Sequence, residues 1–200
     1  LLFLLAANSY QGVLGAPLGR TSTPSVLGGY MGATSGIGKL IWGTGVFNRH
    51  IRGFVSTACL EEYELPVLLQ RIATEEPAVG LVSREYHAPS EDESVRTVAY
   101  KTADFMLASF QDYHPGEPGG REHVWQATLG PGATVFVNHP ACAGLDDAHR
   151  PNFWRGNRVL PRVAQWQDAL IALYDLPEDD WMGFTHAYFP VHAFDEMEVR

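Results

Sequence analysis

His123 and His139 bracket the stretch with the most chemical promise, Arg121-Glu-His-Val-Trp-Gln-Ala-Thr-Leu-Gly-Pro-Gly-Ala-Thr-Val-Phe-Val-Asn-His-Pro140. It reads as two strands joined by a tight Gly130-Pro131-Gly132 turn. Alternation then puts His123, Trp125 and Ala127 on one face and Val124, Gln126 and Thr128 on the other. An imidazole beside an indole on an open sheet face has the parts to hold a sugar ring, the indole stacking and the imidazole moving a proton at the reacting atom. The same two residues also make an ordinary core, with Trp125 filling space and His123 satisfied by a neighbour.

Three further groups carry reactive side chains. Asn48, Arg49 and His50 stand together in Thr44-Gly-Val-Phe-Asn-Arg-His-Ile-Arg52, a polar cluster bounded by glycine between apolar segments, with Tyr30 nearby in sequence. Capping by Asn48 and solvated arginines account for that cluster equally well. His186 and Tyr188 form a second histidine–aromatic segment within Phe184-Thr-His-Ala-Tyr-Phe-Pro190. Arg121, Arg155 and Arg158 have the fork geometry that suits carboxylate or sulfate. Taken singly, each also suits a plain surface position, and a high-GC coding bias gives the same excess of twelve arginines over two lysines.

Other motifs fail on their mechanics. Gly32-Ala-Thr-Ser-Gly-Ile-Gly38 has the look of a dinucleotide-binding turn, but Leu27–Met31 is a poor preceding strand and no Tyr-x-x-x-Lys follows. It is one residue too long for a phosphate loop, and Lys39 is followed by Leu40 in place of Ser or Thr. There is no Gly-x-Ser-x-Gly elbow, no HExxH and no CxxC. No cofactor is implied, and only histidines distant in sequence leave a structural divalent metal open. Cys59 and Cys142 do not decide the redox compartment. A net charge of −9 argues against general nucleic-acid binding, which needs a basic footprint. No apolar run reaches the ~18–20 residues of a membrane span. Leu1–Ala7 reads as a buried helix start in preference to the tail of a signal peptide, so export stays undecided.

These residues need elements to hold them. Residues 1–78 read as helical: Leu1–Leu14 runs into Gly15 and Pro17, Ile37–Trp42 and His50–Leu60 are short apolar-periodic segments, and Leu65–Ala73 is a helix with Pro66 in its first turn. Residues 79–94, with Pro89 and three acids in a row, read as a linker. Residues 95–200 read as strands: Val95–Lys101, Phe105–Tyr113, the pair around His123 and His139, Arg162–Leu176 and Phe184–Val191. Helices followed by strands give an α+β class with segregated parts. The ends look cut, so the chain is expected to be an internal piece of a longer protein.

That order, with a histidine beside a sheet aromatic, resembles the heparinase II/III-like polysaccharide lyases, and within them a bacterial and fungal branch to which no chemistry attaches. Tyr100–Ser109 through His139-Pro140 is similar in texture to their first sandwich strands. His123 with Trp125, the Gly130–Gly132 turn and the strand ending Asn138-His139-Pro140 echo a His-x-His-x-Asp stretch, a Gly turn and a strand ending Asp-Pro-Gly. There is one histidine where that family has two, and Asn-His-Pro replaces Asp-Pro-Gly. The resemblance implies the last helices of an α/α toroid over residues 1–78 and the N-terminal part of an antiparallel β-sandwich over 95–200. It further implies β-elimination on an acidic polysaccharide, and a secreted or periplasmic location if the protein is a glycan lyase. In that chemistry a donor neutralises the uronate and a His or Tyr removes the neighbouring proton. Asn48, His50 and Tyr30 would serve from the toroid, and His123 and then His139 from the sandwich. Trp125 and Tyr188 would stack on the sugar, and Arg49, Arg121, Arg155 and Arg158 would bind its acids.

Two other classes fit the same residues. A glycoside hydrolase needs two carboxylates flanking the bond, and Asp104, Asp112, Glu117, Glu122 and Asp168 supply candidates without a spacing that selects a pair. A non-catalytic carbohydrate-binding or supporting β-sandwich needs only the aromatic platform.

Overall fold

Two short helices, α1 (Leu2–Ala7) and α2 (Val67–Thr74), and ten strands are the main regular elements of the described residues, which in this computed structural model are 2–17, 64–77, 80–87, 95–119, 123–142, 151–153 and 156–198. β1 (Ser9–Tyr10) and β2 (Val13–Leu14) form a small hairpin. β3 (Leu81–His87), β4 (Val95–Lys101), β5 (Met106–Gln111), β6 (Trp125–Gly130) and β7 (Ala133–Asn138) follow as an antiparallel meander. β8 (Arg162–Trp166) and β9 (Ala169–Leu173) make a second hairpin, and β10 (His186–Tyr188) returns to pair with β7. The main sheet therefore has six strands in the order β10-β7-β6-β5-β4-β3.

The chain is thus mainly β, and the expected α/α toroid is not what it forms. The apolar run Leu1–Leu14 is helical only to Ala7. Gln11 and Gly12 then take positive φ values of 48° and 76°, reversing the chain so that Ser9 pairs with Leu14 and Tyr10 with Val13. Short apolar runs do not separate strand from helix by period, and the left-handed turn decided this one. Residues 81–87, expected in a linker, pair with β4 along their whole length. The helix expected at Leu65–Ala73 is α2, entered through Pro66. Ile37–Trp42 and His50–Leu60 lie outside the described residues.

Both faces of the sheet are covered. On one, the amide of Gln126 donates to the Leu14 carbonyl at 3.3 Å and the Thr128 hydroxyl to the Gly15 carbonyl at 3.2 Å. Tyr10 and Ala16 pack there with Ala99, Met106 and Ala108. On the other lies the β8–β9 hairpin. Its Gln165 accepts from the Ser109 hydroxyl at 2.6 Å and donates to the Leu107 carbonyl at 2.9 Å. Phe110, Val124, Leu160 and Val163 make the second core cluster, with Trp125, Leu170 and Ala172 packed against it. The hairpin's outer side is left bare: Trp166 is 67% exposed, beside Ile171 and Leu173, and the Arg84 guanidinium sits 5.8 Å from the Trp166 ring centre.

Lys101 ties three segments together. It is only 5% exposed, and its ammonium donates to the Ser9 carbonyl at 2.9 Å and to the Ile72 carbonyl in the last turn of α2 at 2.5 Å. Neither partner carries a formal charge, and burial pushes its pKa down to about 8. The unfolded chain holds that proton up to about pH 10.4, so between these values the unfolded state binds more protons than the folded one. Stability is therefore expected to rise from pH 7.5 to 9.5, by on the order of 1–2 kcal/mol. Urea denaturation at stepped pH checks this, with Lys101→Met losing the rise. Above pH 10 Tyr10 and Tyr174 act the other way, because burial raises both phenols.

Candidate functional site

Alternation along β6 holds from Trp125 onward and breaks just before it. Trp125 and Ala127 stand opposite Ser109 and Leu107 on the hairpin side, whereas Gln126 and Thr128 point under the N-terminal segment. His123 precedes the strand, and its ring centre lies 3.9 Å from that of Phe136. Val137, next to Phe136, lines a cleft together with Trp125, so Phe136 and the His123 ring against it belong to the opposite face. The sheet thus separates the histidine and the indole that the sequence placed side by side. His123 is 2% exposed and Phe136 fully buried, and Phe136 stacks in turn on Tyr188, its β10 partner, at 5.0 Å.

His139 is a structural anchor. It is 1% exposed; its Nδ1 accepts from the Ala141 N–H at 3.3 Å, and its Nε2 lies 3.0 Å from Asp180 Oδ2. These partners fix the tautomer, with the proton on Nε2. Asp180 Oδ2 also accepts the Gly183 N–H at 2.6 Å, and the Arg158 guanidinium stands 3.7 Å from Oδ1. Burial works to raise the Asp180 pKa, but the Gly183 N–H, His139 and Arg158 together outweigh it and hold the carboxyl below its ordinary value. Gly156 seals the place: a Cβ there would collide with the His139 carbonyl and the Pro140 backbone, and its own carbonyl accepts from Asn138. Both ring nitrogens are committed, and the remaining space beside His139 is about 10 Å³. That cannot admit a substrate.

Open space lies on the hairpin side instead. A cleft of about 500 Å³ runs between the sheet, through Leu107, Trp125 and Val137, and the hairpin, through Asp168, Leu170 and Ala172, with Tyr174 and Thr185 completing it. Its size and its mostly apolar wall with a few polar groups are typical of small-ligand sites. The Trp125 indole N–H is shielded from water and has no hydrogen-bond partner. A buried donor without an acceptor costs about 1–3 kcal/mol, so it calls for a reason. The Tyr174 hydroxyl is already used, donating to the Val137 carbonyl at 3.0 Å and joining the hairpin's exit to the sheet.

Of the residues expected in a lyase site, Trp125 alone lines this cleft; Asp168, offered only as one of several hydrolase carboxylates, lines it too. Arg158 is held by Asp180, and His123, His139 and Tyr188 serve packing and hydrogen bonding elsewhere. Tyr30, Asn48, Arg49, His50, Arg121 and Arg155 lie outside the described residues. Sequence reasoning passed over Tyr174, although alternation along β9 puts it in phase with Leu170 and Ala172. It passed over Asp180 too, because nothing separates that acid from its neighbours in Pro177-Glu-Asp-Asp. His186, whose ring lies 4.9 Å from that of Phe153, is likewise away from the cleft. Among the described residues, no three His, Cys, Asp or Glu side chains gather as a metal site would require.

Fold and cleft together define a mainly-β protein with an aromatic-walled cavity between its sheet and an overlying hairpin. Comparison with protein-family models, with curated proteins and with solved structures gave no match.

Proposed function

We propose that the chain is a saccharide-recognition module, binding one or two sugar units in the Trp125 cleft. The observation that carries this is an indole on the wall of an open cavity whose N–H has no acceptor. An indole face suits the C–H face of a pyranose, and its N–H then fixes a ring hydroxyl.

Two features favour recognition over catalysis. β-Elimination requires a base within about 3 Å of the acidic proton, or one water away, and His123 and His139 are both closed off. Glycoside hydrolysis requires two carboxyls about 5–9.5 Å apart across the bond, and Asp168 is the one carboxylate on the described cleft wall.

Calorimetric titration of the full chain with short oligosaccharides tests the proposal. Trp125→Phe keeps an aromatic wall but removes the donor, and it is expected to weaken binding about five- to tenfold, the equivalent of one net hydrogen bond. Unchanged affinity in that variant would remove Trp125 from the site. A panel of uronate polymers followed by ultraviolet absorbance runs beside it; growth of an unsaturated uronate would replace recognition with elimination.

A further inference from the structure

We infer that the cleft selects saccharides carrying a protonated amine over those carrying carboxylate or sulfate; this rests on the reading of the cleft as a saccharide site. The sequence-level resemblance implied an acidic glycan, and the charges around the cavity point the other way. Asp168 is the sole charged side chain on its described wall. Among the described residues, four cations able to neutralise an acid are engaged elsewhere. Arg158 faces Asp180, Arg162 pairs with Asp112 at 2.5 Å, Arg84 lies over Trp166, and Lys101 is spent on two carbonyls. An acidic sugar entering the cleft would meet a carboxylate and no described counter-charge.

The position of Asp168 is fixed by its surroundings. It is the second residue of the two-residue turn joining β8 to β9, and Gln167 before it takes a positive φ of 50°. The Gln165 amide spans the turn, donating to the Gln167 carbonyl at 3.1 Å as well as to the Leu107 carbonyl on β5. One side chain thereby pins the turn to the sheet and holds Asp168 on the hairpin wall of the cavity. An ammonium about 4 Å from Asp168 in a largely aqueous setting gains about a fivefold preference, and a carboxylate in the same place loses a similar factor.

The test compares three oligosaccharides of equal length on the full chain by calorimetry below the pKa of the sugar amine: a glucosamine oligomer, its N-acetylated counterpart and a galacturonate oligomer. The glucosamine oligomer is expected to bind about fivefold tighter than the neutral one, the galacturonate oligomer to bind most weakly, and the spread to shrink at high salt. The chain's net charge of −9 attracts any cationic polymer, so Asp168→Asn is the deciding variant. Asp168 is exposed on a turn, so Asp168→Asn is expected to leave the fold intact, which a thermal melt checks. A glucosamine-to-N-acetyl affinity ratio that falls to about one in Asp168→Asn supports the assignment, and Asp168→Lys is expected to reverse the order. A preference that persists in Asp168→Asn overturns it, as does equal or tighter binding of the galacturonate oligomer by the unaltered chain; in both cases the saccharide site stands. No binding of any of the three removes the site itself.

Discussion

Asp180→Ala is expected to destabilise the fold by about 3 kcal/mol, the upper end of what it costs to leave a buried donor without its acceptor. The Asp180 side chain is 1% exposed and receives three groups at once: the His139 imidazole, the Gly183 N–H and, at longer range, the Arg158 guanidinium. Removing it leaves the buried Nε2–H of His139 without an acceptor, turns the exposed Gly183 N–H over to water, and frees the loop that carries the chain toward β10. A single domain has only about 5–15 kcal/mol in total, so the variant should be near its limit at room temperature. Asp180→Asn keeps one acceptor and most of the volume and should cost less. Because the folded carboxyl titrates below its ordinary value, its contribution is present above about pH 4 and is lost as pH falls through the depressed pKa. The gap between wild type and Asp180→Asn should therefore close in acid. Denaturant melts of the three proteins across pH 3–7 read this directly; a gap that persists at the lowest pH would mean that the carboxylate's charge contributes nothing.

Phe136→Ala is expected to cost a similar amount, about 3–5 kcal/mol, through a different cause. Phe136 is fully buried between His123, at 3.9 Å, and Tyr188, at 5.0 Å. It therefore holds the approach to β6 on one side and the edge strand β10 on the other. β10 spans three residues and pairs only with β7, so the Phe136–Tyr188 stack supplies much of what keeps it docked. Hydrogen exchange should show the loss concentrated in residues 186–188 before the meander opens, whereas a plain cavity would lower protection throughout. Phe136→Leu, which refills most of the volume, should recover the larger part of the stability.

The meander was legible because its strands carry period-two alternation and its turns carry glycine or a polar loop. Val95–Lys101 and the pair around Gly130-Pro131-Gly132 fall where the pattern placed them, and Met106–Gln111 lies within the expected Phe105–Tyr113. The N-terminal hairpin was hidden inside an apolar run in which Leu, Ala and Val serve helix and strand alike; Gly12 was the sole local clue. β3 was masked by the prolines and acids around it, although Leu81–His87 pairs with β4 throughout. The site was harder to read. Alternation relates residues within a strand, and His123 lies just outside one, so the step at Val124 turned it to the other face. The cleft depends on a hairpin more than thirty residues downstream folding over β5 and β6, a long-range packing that neither spacing nor residue type encodes. Trp125 could be picked out as chemically apt, but Asp168 and Tyr174 become its neighbours only through the tertiary fold.

The most direct test of the central claim is a heteronuclear NMR titration of the full chain with a glucosamine oligomer, following the indole N–H of Trp125, assigned by its absence in Trp125→Phe. With its donor unpartnered in the free protein, that resonance should move downfield on binding, alongside the amides of Gln167 and Asp168. Binding that leaves the Trp125 indole and the β8–β9 turn unmoved would place the ligand elsewhere and contradict the account.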